Sequence, residues 1–228
     1  MIKPEKIEEL LYIPDHDKST PVKKEEARFI YDFIIENNIK DTLEIGLGYG
    51  RSATYIMAAT GSKHIAIDPF QQHYENQALK NIDKTGLTSL FNHIANYSHF
   101  ALPELCREGK KYDFIFIDGD HKFDGILVDF YFSSMLLKPG GFILFHDTWM
   151  RATQLVTSFI GTNRNEFNSI NTPLKNLHLL QKSDATDKRD GMFFREFYTL
   201  KHFFKYRIIN YVNENPDSGI TRLLNKLK

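Results

Sequence analysis

The 228-residue chain has a single cysteine, Cys106, a single tryptophan, Trp149, and no excess of either charge, with 29 Lys and Arg balanced by 29 Asp and Glu. One thiol excludes an intramolecular disulfide and suits a reducing compartment. Balanced charge sets up no global field toward nucleic acid or an anionic membrane, so a small or weakly charged ligand is expected. Also missing is an uncharged apolar run long enough to span a bilayer, and Met1-Ile2-Lys3-Pro4-Glu5 opens a charged segment instead of a signal-peptide core. These absences lead to the expectation of a cytoplasmic protein with no nucleic-acid partner and no transmembrane segment.

What is present, 42% apolar and 25% charged residues, suffices for one α/β domain with short extensions. Ile7, Leu10 and Leu11 mark a short helix, and Pro14, Asp15, Asp17 and Pro21 break it, so residues 1–22 are expected to be a helix and a loop. Residues 23–198 alternate helical and strand patterns. Helices are predicted over 23–37, 52–60, 76–85, 100–108, 123–137 and 149–160, with strands over 42–45, 63–67, 91–95, 114–117 and 142–145. Phe114 to Ile117 and Phe142 to Phe145 are continuous apolar runs, as expected of strands covered by helices on both faces. The fold predicted is α/β, a doubly wound, mostly parallel seven-stranded sheet. Two further strand-like segments, 177–181 and 192–197, are expected to form an antiparallel hairpin at its edge. Residues 199–228 read as a helical tail with six Lys and Arg against two acids. Its apolar Phe203, Phe204, Ile208, Ile209 and Val212 are expected to dock on protein, either the body or the second subunit of a homodimer.

The chemistry begins at Leu43-Glu44-Ile45-Gly46-Leu47-Gly48-Tyr49-Gly50. Glycines after a strand and before a helix let the backbone turn sharply and approach a ligand closely. Asp68 ends the next strand, where an acid accepts hydrogen bonds from ribose hydroxyls. Together they favour an adenosine ligand, which leaves NAD and S-adenosylmethionine open. Arg51 stands where the dinucleotide fingerprint has its third glycine and is too large for the helix packing of a pyrophosphate site. Further on, Leu137-Lys138-Pro139-Gly140-Gly141-Phe142-Ile143-Leu144-Phe145 reads as a helix end, a Pro-Gly-Gly turn and a strand.

With these motifs the chain resembles the class I S-adenosylmethionine-dependent methyltransferases, and more narrowly the catechol O-methyltransferase and macrocin O-methyltransferase-like group, over roughly residues 24–182. The resemblance implies that Glu44, Gly46, Gly48 and Gly50 cup the methionine part of S-adenosyl-L-methionine, that Ser52 binds its carboxylate and that Asp68 holds the ribose. Ser98 would contact adenine, or cap its loop. The resemblance also implies a divalent cation, Mg²⁺ in the family, held by residues matching Asp118, His146 and Asp147, with Asp118 beside the cofactor as well. His146-Asp147 departs from the family's usual acidic or amide pair.

Asp118-Gly119-Asp120-His121 and His146-Asp147 each follow a strand, which in a parallel sheet puts both at the crevice. A cation there would lower the pKa of an acceptor hydroxyl and orient it for in-line attack on the sulfonium. The base is expected at His121 or Lys122, with His121 suited to neutral pH by its unperturbed pKa near ~6.5. Trp149 fits an acceptor-pocket wall or a packed lid equally well. The function expected is metal-assisted O-methylation of a hydroxylated small molecule, whether sugar, polyketide or catechol-like. The alternatives are an NAD-dependent oxidoreductase and a non-catalytic protein that binds S-adenosylmethionine.

Overall fold

The computed structural model describes residues 2–18, 21–183, 186–198 and 200–226. The chain divides into two compact units, Met1–Lys188 and Arg189–Lys228.

The first unit contains α1 (Pro4–Leu10), α2 (Lys24–Glu36), β1 (Thr42–Ile45), α3 (Arg51–Thr60), β2 (His64–Ile67), α4 (Gln77–Lys84) and β3 (Phe91–Ile94). It continues with α5 (Ser98–Arg107), β4 (Tyr112–Ile117), α6 (Phe123–Leu136), β5 (Leu137–Phe145), α7 (Arg151–Asn163), β6 (Phe167–Ile170) and β7 (His178–Lys182). The seven strands form one sheet in the order β3-β2-β1-β4-β5-β7-β6. β1 to β5 are parallel, and β7 runs antiparallel to both β5 and β6. The order reverses beside β1, so the loops after β1 and β4 splay apart at their carboxyl ends and leave a crevice.

Both sheet faces are buried, and β4 shows how its sequence arranges this. Phe114 and Phe116 pack with Ile7, Ala27, Ile30, Tyr55 and Ile56 of the α1, α2 and α3 layer. Ile115 and Ile117 pack with Leu102, Ile126, Phe130 and Val156 of the α5, α6 and α7 layer. Successive side chains on a strand point to opposite faces, so an unbroken apolar run serves two cores.

The antiparallel edge is present, with different strands. Residues 192–197 form no strand; β7 pairs instead with β6, which lies on its N-terminal side. Phe167-Asn168-Ser169-Ile170 carries only two apolar residues, so a period-two pattern hardly registers there. The Pro-Gly-Gly segment is likewise not a turn before a strand. It lies inside β5, where the pairing with β4 shifts register between Leu137 and Phe142, and Gly140 takes φ +78°. A Cβ on Gly141 would come within 2.9 Å of the Asp113 carbonyl oxygen, so the irregularity needs a residue with no side chain.

The second unit holds α8 (Leu200–Glu214) and α9 (Gly219–Lys226). Pro216 separates them, and Ser218 Oγ accepts the Thr221 N–H at 3.0 Å to cap α9. Phe204, Ile208 and Ile209 are exposed, while the side chain of Phe203 lies outside the described residues. Among the described residues no helix is long and apolar enough to cross a membrane.

Candidate active site

A cleft of about 900 Å³ opens at the carboxyl ends of β1, β2 and β4. Its first wall is the turn between β1 and α3. Gly46, Gly48 and Gly50 all have positive φ, at +89°, +49° and +78°. Gly46 is the tightest, because a Cβ there would lie 2.1 Å from the Asp118 carbonyl oxygen. Only glycine lets the turn pass so close to the end of β4.

Asp68 pins this turn from the next strand. Its Oδ2 accepts the Leu47 N–H at 2.9 Å and its Oδ1 the Phe70 N–H at 2.7 Å, so the carboxylate is buried yet still borders the cleft. Ser52, in the first turn of α3, also borders the cleft and donates its hydroxyl to Glu44. Glu44 itself is fully buried and outside the cleft lining. Its other oxygen lies 3.1 Å from His64 Nε2, and His64 Nδ1 lies 2.9 Å from Thr42 Oγ1. Burial raises the Glu44 carboxyl above its ordinary range, against the opposing pull of His64 and Ser52. Glu44 thus holds Ser52 in place from behind. Arg51 also borders the cleft, but its guanidinium turns to Glu8 Oε1 at 3.0 Å and the Val22 carbonyl at 2.7 Å.

Farther along lie Phe70, Tyr97 and Ser98, with the Phe70 and Tyr97 rings edge to face at 5.7 Å. Ser98 is the first residue of α5.

The opposite wall carries charged side chains. Asp118, His121 and Asp147 each offer a ligand atom, all within 4.8 Å of one another. His121 Nε2 lies 3.1 Å from Asp147 Oδ2 and 3.8 Å from Asp118 Oδ1. Hydrogen bonding to these two carboxylates, partly offset by burial, pushes the His121 imidazole up to about 9. Asp147 takes φ +52°, an uncommon conformation for a residue with a side chain, and its Oδ1 accepts the Trp149 indole N–H at 2.9 Å.

His146 lies behind this trio, outside the cleft lining. Its Nδ1 meets Asp118 Oδ1 and its Nε2 meets Glu26 Oε2, each at 3.0 Å. Burial alone would lower His146, but the bonds to Asp118, Asp147 and Glu26 outweigh it and push the ring up to about 12. Two nitrogens facing carboxylates make it an imidazolium that donates on both sides. Asn176 Nδ2 completes the arrangement on Glu26 Oε1 at 3.0 Å. Lys122 stands on the cleft rim, 79% exposed and 3.6 Å from Asp120.

The residues named from sequence therefore fall into three groups. Gly46, Gly48, Ser52, Asp68, Ser98, Asp118, His121, Lys122 and Asp147 border the cleft; Glu44 and His146 stand behind it; and Gly50 closes the turn against Ala78. Glu26, Asn176 and His64 support the site without having been foreseen. Glu26 and Asn176 lie 120 and 30 residues from His146, so no local spacing marks them.

This geometry agrees with the comparisons to known proteins. Residues 43–148 match the family described as a methyltransferase domain. The chain has the class I methyltransferase fold. Its fold is that of the group containing the catechol- and caffeoyl-CoA-type O-methyltransferases. The O-methyltransferase from Bacillus cereus, solved with SAH, is 18% identical with a TM-score of 0.65, covering 80% of this chain and 93% of that one. TomG from Streptomyces achromogenes, an O-methyltransferase involved in tomaymycin synthesis solved with SAM, is 17% identical with a TM-score of 0.61, covering 80% and 100%. The methyltransferase PaMTH1 from Podospora anserina, solved with SAH, is 16% identical with a TM-score of 0.65, covering 79% and 86%. No curated protein matches the chain in sequence.

Proposed function

We propose that the protein transfers the methyl group of S-adenosylmethionine to a hydroxyl oxygen of a small molecule, with a divalent cation held by Asp118, His121 and Asp147. The convergence of these three donors on the wall facing the glycine turn carries the reading. A hydroxyl attacks a sulfonium poorly until its proton is removed or its pKa is lowered.

The donor set fits a cation. Glu26, Asp118 and Asp147 bring three carboxylates together, and the buried His146 imidazolium sets a single positive charge against them. The surplus negative charge draws a proton onto His121 when no cation is present. Two carboxylates suit Mg²⁺, and an imidazole admits a transition ion such as Mn²⁺ as well. When bound, the cation would act as a Lewis acid on the acceptor hydroxyl.

In this reading His121 belongs to the cation site, and Lys122 on the rim takes the hydroxyl proton as the neutral amine. His146 is a positioning residue that orients Asp118. Glycines 46 and 48, Ser52 and Asp68 hold the cofactor's amino-acid and ribose portions. Oxygen as the target draws support from the named activities of the neighbours from Bacillus cereus and Streptomyces achromogenes. An acceptor with adjacent oxygens, such as a sugar, polyketide or catechol-like compound, suits a cation that must hold and polarise it.

Calorimetry with S-adenosylhomocysteine, NADH, Mg²⁺ and Mn²⁺ tests the reading. S-adenosylhomocysteine should bind and NADH should not. Asp118→Ala and Asp147→Ala should lose cation affinity at least tenfold while keeping the cofactor product, and unchanged cation affinity in both variants would remove the metal from the proposal.

A further inference from the structure

The cleft is bordered by the carboxylates of Asp68, Asp118, Asp120, Asp124 and Asp147. Among the described residues only two Lys or Arg side chains, Arg51 and Lys122, join them there. Neither faces an entering anion. Lys122 stands out in solvent, 3.6 Å from Asp120. Arg51 is the first residue of α3, on the cofactor turn itself, yet its fork is engaged by α1 and by the backbone before α2. Nε donates to Glu8 Oε1 at 3.0 Å and Nη2 to Glu8 Oε2 at 3.3 Å, while Nη1 donates to the Val22 carbonyl at 2.7 Å. The two charged side chains are each 15% exposed, and the Tyr55 hydroxyl donates to Glu8 Oε1 at 3.0 Å as well. Paired N–H bonds to one carboxylate fix the direction of a guanidinium and cancel its charge together. The field in the cleft is therefore set by its acids. Asp120 and Asp124, both exposed, keep their charge toward whatever enters beside the cation site.

We propose that Glu8 sets the charge class of the acceptor: by holding Arg51 it withdraws a cation from the cleft wall, so that acceptors bearing a carboxylate or phosphate are turned away in favour of neutral or amine-bearing ones. The inference rests on the reading of the cleft as a methyltransferase site for a small hydroxylated molecule. An anionic acceptor brings its charge to Asp120 and Asp124 with no guanidinium to receive it, and like charges brought together oppose binding. An ammonium group is drawn by the same two carboxylates.

The test uses three catechols that differ in the charge of one substituent: 3,4-dihydroxyphenylacetate, 4-methylcatechol and dopamine. Each is titrated calorimetrically into the full chain with saturating S-adenosylhomocysteine and Mg²⁺. The wild type should bind 4-methylcatechol and dopamine roughly tenfold or more tightly than the anionic compound. Raising the salt concentration should narrow that gap. Glu8→Gln keeps the size of the side chain and removes its charge, so Arg51 counts in the cleft and the gap should fall to about threefold or less. Adding Arg51→Gln removes both charges and should restore the wild-type order, which a merely structural role for Glu8 would not do. The salt series keeps the test decisive if the Glu8 variant fails to fold. A wild type that binds all three alike, a gap that salt leaves unchanged, or a gap retained in folded Glu8→Gln overturns the inference. A chain that binds S-adenosylhomocysteine and none of the catechols overturns the adjacent-oxygen reading of the acceptor, and the inference with it.

Discussion

The two walls of the cleft are built on different physics. The wall after β1 and β2 is made of backbone, with three glycines at positive φ and a carboxylate that spends both oxygens on main-chain N–H groups. The wall after β4 and β5 is made of ionisable side chains, with Asp118, His121, His146, Asp147 and Glu26 held by one another's charge. The first is fixed by steric exclusion and tolerates almost no added atom. The second is fixed by pairing, so it responds to protons and cations. The division suits the proposed chemistry, since a constant cofactor wants a rigid cradle and a reacting hydroxyl wants adjustable charge.

The sharpest way to break the contrast is Gly46→Ala. The added methyl would meet the Asp118 carbonyl oxygen at 2.1 Å, in a backbone conformation that already disfavours a side chain. A loss of roughly 4 kcal/mol or more is expected, together with cofactor binding. Thermal unfolding and calorimetry would show it, and near-wild-type values would mean that the two walls lie farther apart.

Next is His146→Phe, which leaves the buried Glu26 and the half-buried Asp118 without their shared imidazolium. About 3 kcal/mol should be lost, measured by urea unfolding. A smaller effect comes from pH in the metal-free protein. His146 is pushed up to about 12 from 6.5, so the folded state keeps a proton that the unfolded chain releases above 6.5. Its stabilisation is complete below that value and declines as pH rises toward the folded value. Between about pH 6 and 8.5 the loss should be about 2–3 kcal/mol, with a flatter profile in His146→Phe. On the acid side Glu26 and Asp147, both lowered, contribute stability that disappears as they are protonated. Smallest is Lys122→Ala. With its side chain exposed on the rim, the change should alter stability by no more than about 0.5 kcal/mol. Under the proposal its turnover falls while cation affinity holds, and the reverse pattern would reassign Lys122.

The backbone wall was legible because its causes are local. Gly46, Gly48 and Gly50 follow a strand and precede a helix within a few residues, and Asp68 ends the next strand in turn. The parallel core could be read for the same reason, since runs such as Phe114 to Ile117 declare a strand buried on both faces. The side-chain wall was legible only in part. Asp118, His121 and Asp147 adjoin strand ends, but which histidine faces the cleft depends on Glu26, brought in by α2 through capping of its own first turn. The edge hairpin shows a similar limit. Its outer strand, Phe167–Ile170, is held by pairing with β7 more than by any hydrophobic pattern of its own.

Trp149 is 68% exposed and gives its indole N–H to Asp147. Because it is the only tryptophan in the chain, the protein carries its own optical reporter, one bond from the proposed cation site. Titration with Mn²⁺ should change its emission in the wild type and leave it flat in Asp147→Ala, so occupancy can be followed by light before any acceptor has been found.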